Sequence, residues 1–231
     1  MNALAIDCAV SKIAVAAKKG SKSVKVVLDI GTRQSEKLLP AIDYVMKEAE
    51  LSPSELDYTA STLGPGTFTG LRLGLSTLKA LTLSFGTPLY GIPSFDAYRW
   101  PFRNEKNMVL CLIAAKEDEF FCAVYSDGKK IRGDSDMTTE EILALFTSED
   151  TIILAGPGAE QFFDRASHVP DSPAFRLCTP VPDCADTLFD MAEKMIEEKK
   201  DPLKDYDGPL YVRKSEAEIV YESTHPGTNK E

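Results

Sequence analysis

Tyr58-Thr59-Ala60-Ser61-Thr62-Leu63, running into Gly64-Pro65-Gly66-Thr67-Phe68-Thr69-Gly70-Leu71-Arg72-Leu73-Gly74, is the passage on which the fold turns. A short strand ends in a glycine-rich turn and reopens as a helix that reaches Phe85, which is a strand-to-helix unit of an α/β protein. Such a turn can present backbone amides to an anion at the helix N-terminus, which makes Gly64, Gly66, Thr67, Gly70 and Arg72 candidate nucleotide-proximal residues. No Gly-Lys-Ser/Thr follows, so it is not a Walker loop. The other reading is mechanical: the glycines let the chain turn and bring the helix close to its sheet.

Upstream, Asn2–Asp7, Ile13–Ala17 and Val24–Ile30 read as three strands of an antiparallel meander, with Lys18-Lys19-Gly20-Ser21 as the second turn. From Ser35, apolar residues at three- and four-residue spacing (Leu38, Leu39, Ile42, Val45, Met46, Ala49) predict a helix ending near Leu51. Downstream, Pro88–Ile92 reads as a strand. Ser52 and Ser94 look like helix entries whose side chains cap the first turn. After a polar stretch, Arg99–Asn107, the order starts again: strands Met108–Ala115, Phe120–Tyr125 and Lys129–Gly133, a helix opening at Thr138 or Thr139, strand Thr151–Ala155, and a second Gly-Pro-Gly at Gly156–Gly158. A last helix covers Asp183–Lys200. The echo predicts two related α/β lobes, residues 1–103 and 104–221, the second carrying the closing helix, with a flexible tail at 222–231.

The 231 residues carry 26 Lys and Arg against 36 Asp and Glu, a net charge of −10. Residues 1–100 hold 11 basic and 9 acidic side chains, so the remaining 15 and 27 place the acidity in the second half. That balance opposes unaided binding to a polyanion or an acidic membrane face. The longest apolar run, Met108–Ala115, is too short for a membrane helix, and the N-terminus lacks a basic lead-in. Five Cys with no C-x-x-C pair fit reduced thiols in a cytoplasm.

Catalytic inventory is thin. The two His, His168 and His225, fall in a loop and in the tail, so no metal site is predicted, and no G-x-S-x-G elbow occurs. Asp7, at the end of the first strand, is placed to open onto a nucleotide cleft. Behind it Cys8 and Ala9 are poor phosphate donors, and Ser11 offers the one hydroxyl. The helix after the glycine run is apolar around most of its circumference, with Leu71, Leu73, Leu75, Leu78, Ala80, Leu81, Leu83 and Phe85 spread round the cylinder. It is either a central core helix or one covered by a sheet on one face and a partner on the other.

Four segments carry a family resemblance: Leu4-Ala5-Ile6-Asp7, Ser35-Glu36-Lys37-Leu38-Leu39-Pro40, the Gly64–Gly74 run, and Pro209-Leu210-Tyr211-Val212-Arg213-Lys214-Ser215-Glu216-Ala217-Glu218. Together they resemble the bacterial TsaB (YeaZ) proteins of the actin-like ATPase superfamily. The resemblance implies two actin-like (ASKHA, ribonuclease H-like) lobes, each a mixed sheet with helices. It also implies a non-catalytic subunit of the complex that makes threonylcarbamoyladenosine beside the tRNA anticodon. In that complex the chain would pair with a metal-binding TsaD-like paralogue, be joined by a TsaE-like ATPase, and meet tRNA only indirectly. No cofactor is expected on the chain alone; ADP or ATP is expected at the partner junction.

Carried over by position, the partner face falls on Leu38, Leu39, Ile42, Val45 and Met46 of the first helix and on Leu71, Leu75 and Leu78 of the second. The same face can pair two copies of the chain. Two positions depart from the family pattern: Gln34 replaces a common His, and Cys8-Ala9 replaces Thr-Ser. The competing reading is an autonomous actin-like ATP-dependent kinase using Asp7 and Asp96. A third, a peptidase, follows an old family label and lacks paired His.

Overall fold

The structure, a computed structural model, describes residues 1–116, 118–178 and 183–213. Strands β1 (Asn2–Asp7), β2 (Lys12–Lys19), β3 (Lys22–Asp29), β4 (Tyr58–Gly64) and β5 (Leu89–Pro93) form one sheet in the order β3-β2-β1-β4-β5. Strands β6 (Met108–Ala114), β7 (Glu119–Ser126), β8 (Lys129–Thr138), β9 (Thr151–Ala155) and β10 (Ala174–Leu177) form a second, ordered β10-β9-β6-β7-β8. Numbered within its own half, each sheet reads 3-2-1-4-5. In both, the first three strands pair antiparallel and the first, fourth and fifth pair parallel. The expected pair of related lobes is present.

Local chemistry accounts for the pattern. The hairpin joining β7 and β8 turns through Asp127 (φ 47°) and Gly128 (φ 78°), the left-handed pair that a two-residue turn compatible with sheet twist requires. The parallel pairings need crossover helices, which α1 (Gln34–Glu48) and α2 (Phe68–Phe85) supply in the first half. In the second half α4 (Thr139–Leu143) and α5 (Ala159–Ala166) do so. Strands β1 and β4 are buried on both faces, β1 as a near-continuous apolar run and β4 with Thr59, Ser61 and Thr62 buried among its apolar residues, whereas edge strand β3 alternates.

Three apolar clusters stack the layers. In the outer one, Leu38, Val45 and Met46 of α1 and Leu75 and Leu78 of α2 cover Leu4, Ile6, Ile13 and Val15 of the first sheet. The central cluster fills the space between the sheets with α3 (Ser94–Arg99) and α6 (Ala185–Glu197), and the third lies under α4 and α5. Helix α6 was expected in the second lobe; instead it packs on β1, β2, β4 and β5, so the end of the chain returns to complete the first lobe. The boundary at 103/104 therefore divides the sheets but not the helices, because burying the inner face of the first sheet needs more apolar surface than α3 supplies. The tail at 222–231 and the motif beyond Arg213 lie outside the described residues.

The two serine helix entries differ: Ser52 is an N-cap that closes a capping box with Glu55, whereas Ser94 is not a cap. Ser52 opens a single 3-10 turn, Pro53–Glu55, and its N–H and Oγ–H both donate to the Glu55 carboxylate (2.8 and 2.9 Å). Ser94 is the first residue of α3 and its buried Oγ has no hydrogen-bond partner. Helix α5 and strand β10 were not read from sequence, being eight and four residues long.

Cys8, Cys111, Cys122 and Cys184 are buried and Cys178 is exposed. Burial pushes the Cys122 thiol up to about 11 and those of Cys8, Cys111 and Cys184 higher, Cys8 and Cys184 further raised by neighbouring Asp7. One thiol should therefore react with a disulfide reagent in the native protein at pH 8, and five after denaturation. Because these folded values lie above the ordinary 9.0, the stability they contribute is intact below pH 9 and falls as pH rises beyond it, which an alkaline unfolding series would record.

Candidate functional site

The carboxyl ends of β1 and β4 open on a cleft of about 500 Å3 between the lobes, the place where open α/β sheets bind ligands. Its lining includes Asp7, Ser11, Lys12, Thr67 and Tyr98 from the first lobe, Ala114, Pro157, Glu160 and Gln161 from the second, and Asp183 ahead of α6.

Asp7 is only 4% exposed, and its carboxylate accepts four hydrogen bonds. Oδ1 takes the Ala9 N–H and the Thr62 hydroxyl, both at 3.0 Å; Oδ2 takes the Tyr98 hydroxyl at 3.0 Å and the Cys184 thiol at 2.9 Å. Burial and the Asp7 charge hold the Tyr98 phenol and the Cys184 thiol well above their usual ranges, so both remain donors at neutral pH. Thr62, Tyr98 and Cys184 come from β4, α3 and the head of α6. No local spacing signals them, because they lie 55, 91 and 177 residues from Asp7. The four donors make Asp7 a fastener between β1 and three other elements.

The glycine run serves packing. The Thr67 N–H donates to Ala9 O at 2.7 Å, so an amide of the turn is spent on the chain itself. A Cβ on Gly66 would enter the Ala9 backbone, one on Gly70 would enter Cys8 O, and one on Gly64 (φ 120°) would enter Leu210 O. The second Gly-Pro-Gly repeats the arrangement, with Gly158 N–H on Leu112 O at 2.9 Å. Ser11 and Thr67 are exposed at the cleft. Arg72 does not line it: its guanidinium lies 3.6 Å over the Phe68 ring and Nε donates to the Tyr211 hydroxyl at 2.8 Å.

These residues do not fit the phosphates that the fold would place here. Among the described lining residues the charged groups are Asp7, Glu160 and Asp183 against Lys12, and Lys12 already pairs with Asp29 at 3.6 Å. Asp96 is not among the lining residues; it accepts the Tyr125 hydroxyl at 2.6 Å and pairs with Lys130. His168 bonds the Asp164 carbonyl through Nδ1, and His225 lies outside the described residues. Among the described residues no helix is long and apolar enough to cross a membrane.

The predicted partner face also changes. Leu38, Val45, Met46, Leu71, Leu75 and Leu78 are buried within this chain, because the more continuous apolar face of each helix is the one its own sheet covers. Ile42 is half-buried. On the outer surface of the two helices stand Leu39, Tyr44, Phe68, Leu83 and Phe85, with Leu39 64% and Leu83 77% exposed.

Duplicated 3-2-1-4-5 sheets on either side of a cleft define a two-lobed, actin-like α/β protein of the ribonuclease H-like type. Residues 30–182, about two-thirds of the chain, match the family described as TsaD, tRNA N6-adenosine threonylcarbamoyltransferase. The chain belongs to that family. It is 28% identical over 124 residues to the tRNA threonylcarbamoyladenosine biosynthesis protein TsaB of Buchnera aphidicola subsp. Schizaphis graminum, covering 53% of this chain and 59% of that protein. It is 36% identical over 98 residues to an uncharacterized protein of Mycobacterium leprae, covering 42% and 26%. The chain thus spans between about a quarter and three-fifths of the length of these two curated relatives. A crystal structure of an uncharacterized protein with similarity to peptidase YeaZ, from Pseudomonas aeruginosa, superposes with a TM-score of 0.73 at 20% identity, covering 92% of this chain and 99% of that one, and shows the same fold.

Proposed function

We propose that this chain is a non-catalytic scaffold subunit in the formation of threonylcarbamoyladenosine in tRNA, pairing the outer surface of α1 and α2 with a larger TsaD-like paralogue. The observation that carries this reading is the exposed apolar set on those helices, Leu39, Tyr44, Leu83 and Phe85, within the stretch that matches the family. Fully burying such a side chain contributes about 1.5–3 kcal/mol, and exposed apolar groups grouped on one layer mark an interaction surface. The Asp7 carboxylate, already holding four donors, supports a structural role for the first lobe. In this reading a TsaE-like ATPase joins at the junction and ADP or ATP sits there, held by partner groups. Without the paralogue, two copies pair through the same face. The acidic second half keeps tRNA contact indirect, and the setting is cytoplasmic.

The test is light scattering and pull-down of the purified chain with its organism's TsaD-like protein. Leu39→Asp combined with Leu83→Asp should weaken a one-to-one complex by at least about a hundredfold, since each charge would be buried without a partner. Unfolding stability should change by no more than about 0.5 kcal/mol per site, because both positions are exposed. A complex unaffected by both changes would remove the face. Phosphoryl transfer from ATP by the isolated chain would replace the scaffold reading with the kinase reading.

A further inference from the structure

The segment Pro209–Arg213 was singled out by resemblance, yet nothing in the scaffold role uses it. After α6 the chain runs without regular secondary structure along the outside of α2. Leu203 packs into the outer cluster and its N–H donates to Leu89 O at 2.8 Å. Lys79 of α2 donates to the carbonyls of Lys204 (3.2 Å), Asp205 (2.6 Å) and Asp207, so one ammonium reads three backbone oxygens of the passing chain. The Leu210 N–H then bonds Leu63 O at 2.7 Å, and the Tyr211 ring stacks on Phe68 with centroids 5.0 Å apart. Two residues later the chain is held by the other lobe: the Arg213 guanidinium pairs with both Glu119 and Asp136 and lies 5.8 Å over the Phe121 ring.

The two anchor points flank the cleft. Phe68 adjoins Thr67, and Glu119 O accepts the N–H of Ala115, next to Ala114; Thr67 and Ala114 both line the cleft. We propose that residues 203–213 form a clasp that bridges the lobes beside the cleft, fixes the angle between them and so sets the width of the opening. Its strongest link is charge-assisted, the Arg213 guanidinium shared between the carboxylates of Glu119 and Asp136, which ties the end of the strap to the second sheet. The clasp does not depend on which partner the outer helices meet.

The test measures the distance between spin labels on exposed positions of the two lobes, Lys37→Cys and Glu149→Cys, in the full chain carrying Cys178→Ser. Arg213→Gln is the first variant, and Glu119→Gln with Asp136→Asn, which removes the two carboxylate charges instead, is the second. Each should lengthen the mean distance and broaden its distribution. Amide exchange at Leu210 and Ala115 should rise by about fivefold to tenfold, as loss of a partly exposed, charge-assisted link allows. Combining the two variants should add nothing further. Either one decides the matter if the other fails to fold. A folded variant whose distance distribution matches that of the unaltered chain would overturn the clasp and leave the central apolar cluster as the sole determinant of the interlobe angle.

Discussion

Asp7→Ala is expected to destabilise the fold by about 3–5 kcal/mol, the cost of leaving a buried donor set without its acceptor. Four donors would lose their partner at once: the Ala9 amide, the Thr62 and Tyr98 hydroxyls and the Cys184 thiol. Because domain stabilities lie near 5–15 kcal/mol, the variant should unfold at much lower urea concentration, and amide exchange should quicken first at the head of α6, where Cys184 is anchored. Asp7→Asn keeps one acceptor oxygen but turns two N–H groups towards existing donors, so its loss should be only slightly smaller. Urea melts followed by circular dichroism check both. A variant that melts with the unaltered chain would mean that the network does not bear on stability. The same result governs any activity assay: loss of function in Asp7→Ala would report unfolding unless the folded fraction is measured beside it.

Gly70→Ala is expected to cost about 3 kcal/mol, at the upper end of overpacking penalties, although it lies inside a helix where alanine is intrinsically favoured over glycine by about 0.8–1.0 kcal/mol. A methyl at this position would enter the Cys8 carbonyl oxygen and crowd the Thr67 hydroxyl and the Gln34 amide oxygen. The first of these is backbone of the turn after β1 and cannot swing aside. Gly74, one helical turn on, is the control. Its added Cβ would meet only Cys8 and Ile6 side chains, at 3.4–3.5 Å, which is ordinary contact. Gly74→Ala should therefore hold or raise stability by a few tenths to about 1 kcal/mol through helix propensity alone. Thermal melts of the two variants should move in opposite directions. If Gly70→Ala were tolerated like Gly74→Ala, the close approach of α2 to the first turn would not be what the glycine run secures.

Much of the architecture was legible from residue patterns, because alternation, three-to-four spacing and turn residues are local properties of the chain. The meander of β1 to β3 and helices α1 and α2 each followed from such signals, and the repeated order of elements pointed to two lobes. The short α5 and β10 left too few periods to read. The candidate site was harder. Asp7 was picked out as a carboxylate facing a cleft, and it does line one, but its partners come from strands and helices brought together only by folding.

The sequence by itself determined the class of element at nearly every stretch, the duplicated order of strands and helices, the acidic second half and the membership of a family, since all four are written in composition, periodicity and motif. Tertiary structure alone decided which leucines of α1 and α2 face the sheet and which face solvent, that α6 completes the first lobe, and that Arg72, Lys79 and Arg213 hold a returning strap of chain. A helix periodicity fixes the existence of an apolar face but not what covers it, and a charged residue finds its partner only when segments distant in sequence meet. Those choices are made by packing, where burial of one face and satisfaction of each buried polar group have to be met at the same time.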